Sequence, residues 1–169
     1  VNPLFQPSVN PRKGLFALDN LWDGLGAIVL LHPHMKYFFG KVTMYSSYNE
    51  NAKRAVLGFM KTYFPDTEKL VTPLNSMYTT VEKHEIVNLV AGLDFKEGLK
   101  ILQKYCRDNG ENVPPLINNY MQLSPTMKSF GTARNPDFGG VEETGILVTL
   151  ADIEESKKSR HLEGFELSH

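Results

Sequence analysis

The chain is 169 residues long, 41% hydrophobic and 22% charged, with a net charge of −1. That describes one domain, residues 1–169, with enough apolar content for a packed core, and it excludes bulk disorder. A single cysteine, Cys106, excludes an internal disulfide framework and most zinc sites. No apolar run approaches the roughly 18–20 residues of a membrane span, and nothing reads as a secretory signal, so a cytoplasmic protein is expected. The charge is unevenly spread. Residues 1–63 hold seven Lys/Arg against three acids, and residues 64–169 hold eleven against sixteen. A basic front half suits an acidic or phosphate-bearing partner. The near-neutral balance and single Trp speak against nucleic acid.

Val1 to Lys13, with three prolines, reads as an extended loop that Gly14 closes. From Leu15 the spacing turns helical, with Leu18, Leu21, Trp22, Leu25, Ile28 and Val29 on one stripe. Asp19 and Asp23 suit the start of this helix, and Pro33 ends it. Tyr37 to Tyr45 alternates as a strand. Ser47 and Glu50 have capping-box spacing before a helix to about Tyr63, whose apolar face is Ala52, Ala55, Val56, Phe59, Met60 and Tyr63. Asp66 to Thr80 is loop.

Val81–Ala91 and Asp94–Asp108 read as helices around Gly92, the second stopped by Asn109-Gly110. Pro114-Pro115 opens a short helix through Met121. Met127–Arg134 is a strand, Asn135-Pro136-Asp137 a turn with Gly139-Gly140 behind it, and Thr144–Leu150 a second strand. A charged helix spans Asp152–His161. The order predicts an α/β or α+β domain.

A few residues stand out as carriers of chemistry. Asn10-Pro11-Arg12-Lys13-Gly14-Leu15 is a basic, glycine-ended loop running into a helix. Free N–H groups at a helix start make an anion site, and Arg12 and Lys13 add charge. Tyr48 places a hydroxyl where a strand hands over to a helix. Asp137 follows a turn and offers a carboxylate to a ligand, although turn chemistry alone favours Asp there. His32-Pro33-His34 lacks a third ligand at metal spacing, so no metal is expected. Cys106 reads as a buried structural thiol. Glu142 and Glu143 are adjacent on a strand and must point to opposite faces.

Leu21-Trp22-Asp23-Gly24-Leu25-Gly26, Tyr37-Phe38-Phe39-Gly40-Lys41-Val42-Thr43-Met44 with Tyr48, Pro114-Pro115-Leu116-Ile117-Asn118-Asn119-Tyr120-Met121, and Gly131-Thr132-Ala133-Arg134-Asn135-Pro136-Asp137-Phe138-Gly139 occur in that order. Together they resemble the acyl-carrier-protein-dependent N-acyltransferases of ornithine and glycine lipid synthesis. Members of that family often carry a hemolysin label and form a branch of the GNAT acyltransferases. The resemblance covers nearly the whole chain.

It implies a GNAT-like mixed sheet flanked by helices, and transfer of a 3-hydroxyacyl group from acyl carrier protein or CoA to the amine of glycine or ornithine. Arg12, Lys13, Gly14 and Leu15 then correspond to the loop that holds the donor's phosphates. The family's usual Q/R-x-x-G-x-G/A pattern is matched here by Gly14 alone. The family also has an "E-L-G-R" strand before this loop, so the chain reads as the C-terminal part of such a domain without its N-terminal strands, inactive as it stands. Val56 and Leu57 occupy the place where many GNAT enzymes keep a tyrosine acid, which leaves Tyr48 as the nearest hydroxyl.

The resemblance implies no tightly bound cofactor. It implies acyl carrier protein and a small amino acid as partners, and allows peripheral contact with the inner face of the membrane. An open sheet edge favours pairing with a second copy. The competing expectation is a non-catalytic GNAT-like module that binds acyl carrier protein or CoA.

Overall fold

The computed structural model describes residues 17–77 and 84–162. The chain divides into two compact units, residues 1–36 with 153–169 and residues 37–152. The described part of the first unit is two helices that pack on each other, α1 (Ala17–Leu31) and α6 (Glu155–Leu162). The helix α1 stops two residues before Pro33, because the residue ahead of a proline is pushed out of helical geometry.

The second unit runs β1 (Tyr37–Met44), α2 (Glu50–Tyr63), α3 (Glu85–Leu89), α4 (Phe95–Asp108), α5 (Pro115–Met121), β2 (Lys128–Asn135) and β3 (Val141–Thr149). The strands form one antiparallel sheet in the order β1-β3-β2. The mixed α/β architecture expected from the sequence is present. The helices of this unit fall between β1 and β2, and β2 and β3 form a hairpin across a 3-10 turn at Pro136–Phe138. Gly139 and Gly140 follow it at φ 67° and 68°, left-handed values that side chains with a Cβ rarely adopt.

The core follows from the two periodicities. On α2, Ala52, Ala55, Val56, Phe59 and Met60 are buried as the helical spacing requires. Val42 and Met44 of β1 and Ile146 and Val148 of β3 are buried strand residues. Ile86, Leu102, Ile117, Met121 and Met127 complete the core. Tyr63 adds an anchor. Its hydroxyl lies 3.1–3.3 Å from the carbonyls of Val90, Leu93 and Asp94, and a Cβ on Gly98 would run into it.

Three local expectations are corrected. The cap of α2 is Asn49, whose side-chain oxygen accepts from the N–H groups of Asn51 at 2.9 Å and Ala52 at 3.2 Å. Ser47 does not cap it, because the helix begins at Glu50 directly after Asn49, which puts Glu50 at the first helical position, where it pairs with Lys53 and Arg54. The described helix of the 81–91 region is short, Glu85–Leu89, with His84 Nδ1 accepting from Ile86 N–H as its cap. The strand expected from Thr144 begins at Val141. Two adjacent glutamates hide its start, yet each meets a lysine across its own face of the sheet.

Candidate functional site

The register Met44↔Glu142 and Asn135↔Val141 places the end of β1 and the hairpin turn at one end of the sheet. Tyr48 follows β1 there, and Asp137 sits in the turn. Their hydrogen bonds do not join them. The Tyr48 hydroxyl donates to the Asn112 carbonyl at 2.7 Å, while the neighbouring Asn49 N–H donates to Glu111 Oε1 at 2.9 Å. Burial, with Cys106 and Glu111 nearby, raises the Tyr48 phenol above its ordinary pKa of 10.0. Its proton is therefore retained at neutral pH and committed to a backbone carbonyl. Asp137 is exposed. Cys106 lies fully buried beneath Tyr48, and burial pushes its thiol up to about 11, so little thiolate forms at neutral pH. The anion loop Arg12, Lys13, Gly14 and Leu15 lies outside the described residues.

The same end of the sheet carries a charge network that sequence reasoning missed. Lys53 Nζ, on a side chain 3% exposed, lies 3.0 Å from Glu142 Oε1 and 2.9 Å from Glu50 Oε2. Glu50 also binds Arg54 Nε at 3.0 Å. Burial works against the Lys53 charge, but hydrogen bonds from Glu50 and Glu142 outweigh it and raise the lysine's pKa. Burial likewise disfavours the Glu50 carboxylate, yet Lys53 and Arg54 hold it below the usual carboxylate range. The opposite face of β3 carries Glu143, paired with Lys41 at 2.6 Å. The alternation thus separates the two glutamates as expected. The signal for Lys53 was available too, since it stands among the buried positions of α2, three residues after Glu50.

A cleft of about 290 Å³ lies along the outer edge of β2, between α2 and the 65–76 segment. Its construction starts with a β-bulge. The pairing slips by one residue between Ser129↔Ile146 and Thr132↔Thr144, so Phe130 and Gly131 share one place opposite β3. Bulges re-aim side chains and interrupt pairing beside binding sites. Here the Pro73 ring fills the space over Gly131, where a Cβ would come within 2.5 Å of Cγ. The segment is pinned on both sides of the bulge. Ser129 N–H donates to Phe64 O at 2.8 Å, and Met77 N–H donates to Thr132 O at 3.0 Å.

The cleft wall is apolar at Leu57, Val71, Pro73 and Phe130, and polar at Ser129, Thr132 and Thr144. The two threonine hydroxyls, both buried, are 2.8 Å apart. Asp66, Lys61 and Lys69 also line the cleft. Lys69 is held at φ 53°, the one non-glycine among the described residues with positive φ, a strained conformation that persists only where surrounding contacts fix it. Sequence reasoning read this segment as plain loop. The Gly131 of the quoted motif was the visible signal, but its partner Pro73 is far away in sequence. Among the described residues, no group of three or more His, Cys, Asp or Glu is placed to hold a metal ion.

The fold and site together define a mixed α/β unit, an antiparallel three-stranded sheet backed by helices, with a small cleft at one sheet edge. The chain is 51% identical over 165 residues to a protein of Phocaeicola vulgatus named Glycine N(alpha)-acyltransferase, covering 98% of this chain and 51% of that protein. It is 52% identical over 165 residues to a Bacteroides thetaiotaomicron protein of the same name, covering 98% of this chain and 49% of that one. The resemblance to N-acyltransferases therefore extends over nearly the whole chain, while the chain spans about half the length of the curated relatives it matches. No protein-family profile and no solved structure matches it.

Proposed function

We propose that the chain is part of a GNAT-type N-acyltransferase that moves a (3-hydroxy)acyl group from acyl carrier protein or CoA to the amine of glycine, for aminolipid synthesis. The observation that carries this reading is the identity of 51–52% over 98% of the chain to two proteins named Glycine N(alpha)-acyltransferase. Half-identity across 165 aligned residues leaves little room for a different fold or a different reaction class. The name that both relatives carry favours glycine over ornithine as the acceptor.

The reaction is direct aminolysis. The acceptor nitrogen forms a bond to the thioester carbonyl carbon, and the carbon–sulfur bond breaks. A base takes the amine proton, backbone donors stabilise the oxyanion, and the departing thiolate takes up a proton. In this reading Arg12, Lys13, Gly14 and Leu15 hold the donor phosphates, and the basic front half meets the acidic carrier protein. Tyr48 keeps its proton at neutral pH and can give it to the thiolate only by leaving Asn112. Asp137, exposed in the hairpin turn, is the acid–base candidate at the same end of the sheet.

The test is mass spectrometry on the full reading frame carrying this sequence, incubated with 3-hydroxyacyl carrier protein or acyl-CoA and a panel of amino acids, beside the 169-residue chain. N-acylglycine from the long form, with ornithine and other amines unreacted, is the expected result. Binding of the acyl donor with no amide formed from any amine overturns the enzyme reading in favour of a donor-binding module.

A further inference from the structure

The helix α3 is five residues long, too short to persist on its own backbone hydrogen bonds. It is held in the core by Ile86, and by Val90 just past its end, 0% and 1% exposed. At its far end the Tyr63 hydroxyl reaches the Val90 carbonyl at 3.3 Å. At its near end the cap is His84, whose backbone is extended and whose Nδ1 accepts from Ile86 N–H at 3.2 Å.

Helices are ordinarily capped by Ser, Thr, Asp or Asn, whose oxygens accept throughout the neutral range. An imidazole nitrogen accepts only while it carries no proton, and in the charged ring both nitrogens donate. A proton on Nδ1 therefore sets donor against donor and puts a cation at the positive end of the helix. The groups around the ring come from three elements. Glu85 follows it on α3, with its carboxylate accepting from the Tyr105 hydroxyl at 2.6 Å. Tyr105 of α4 meets the imidazole edge-on, with ring centroids 5.5 Å apart. Arg54 of α2, itself paired with Glu50, is the facing cation. Burial holds the imidazole below its ordinary 6.5, Glu85 opposes that shift, and Arg54 adds to it.

We propose that His84 is a pH-sensitive catch on α3, closing the first turn through Nδ1 when neutral and releasing Ile86 N–H when protonated. The folded-state value is depressed, so the cap's contribution is present above the unfolded value and is lost as pH falls through the folded one. The opening is local, because the other helices carry caps of their own, Asn49 on α2 and Asp94 on α4. The inference is independent of the proposed reaction, and its test reads no catalysis.

The test is hydrogen exchange on the full reading frame carrying this sequence, read by mass spectrometry over peptides that cover α3 and α4. It is run at about pH 7.5 and about pH 5, on either side of histidine's ordinary titration, with labelling times scaled for the intrinsic pH dependence of exchange. His84→Asn keeps an accepting side chain that does not titrate, and His84→Ala removes the cap. In the parent, protection of α3 should fall roughly threefold or more at the lower pH, as loss of a side-chain cap implies. His84→Asn should keep its neutral-pH protection at both values, and His84→Ala should be weakly protected at both. Protection of α4 should not move. Equal protection of α3 in the parent at both pH values overturns the proposal. So does a fall of the same size in His84→Asn, which would place the titrating group elsewhere.

Discussion

The two ends of the β2–β3 pairing are built on opposite principles. At the hairpin end, charges lie inside and are answered, with Lys53 between Glu142 and Glu50 and Tyr48 and Asn49 tied to residues 112 and 111. At the bulge end, the ladder is interrupted, a lysine is held left-handed, and aliphatic side chains face solvent. The first arrangement is a brace, in which removing Lys53 or Glu142 breaks a buried ion pair from one side. The second carries exposed aliphatic side chains and a left-handed lysine in place of a paired core.

The brace makes the strongest prediction. Lys53→Ala takes the Lys53 charge from Glu142, 5% exposed, and should cost about 3–5 kcal/mol, the usual penalty for breaking a buried pair from one side. Urea unfolding followed by circular dichroism measures it. The Lys53→Met/Glu142→Leu double substitution should recover most of that loss, since it removes both charges and keeps the volume. A single substitution costing less than about 1 kcal/mol would mean that water reaches the pair and that the contrast between the two ends is false.

At the bulge the expected effect is smaller. Gly131→Ala places a Cβ against the Pro73 ring and should cost about 1–3 kcal/mol, as overpacking does. The same unfolding experiment reads the cost. The change should also appear as faster amide exchange at Met77, whose N–H bonds Thr132 O across the same gap. If the ring moves aside freely, both effects vanish, and the 65–76 segment is not seated as described.

Much of the hairpin end was legible in the sequence. Pro136-Asp137 with Gly139-Gly140 announces the turn, and adjacency alone separates Glu142 from Glu143. Lys53 was hidden because a lysine on an amphipathic helix is ordinarily taken as solvated. Only its place among buried alanines and its spacing from Glu50 argue otherwise. The start of β3 was hidden for the same reason, since charged residues lower strand propensity until their partners on neighbouring elements are known. The cleft was illegible because it depends on Pro73 meeting Gly131, a contact across 58 residues that no local pattern encodes. Tyr48 was singled out for its position, and its bond to Asn112 depends equally on a distant loop.

Glu143 offers the finest test, because it differs from Glu142 in little but the face it occupies. Its bond from Lys41 is 2.6 Å long, with the lysine side chain 56% exposed. Hydrogen bonds from Lys41 and Asn135 outweigh partial burial and hold its carboxyl below the ordinary value of 4.5. The folded-state pKa is thus depressed, so the pair's contribution is present above the unfolded value and fades as pH falls through the folded one. Glu143→Gln should therefore cost under about 1 kcal/mol at pH 7, as exposed pairs do. The difference from the parent should shrink further as pH falls through the lowered carboxyl pKa and in high salt. Matched urea titrations at neutral and acid pH check this. A loss at pH 7 as large as that of Lys53→Ala would show that the two faces of β3 are equally dry, and that burial is not what distinguishes the two glutamates.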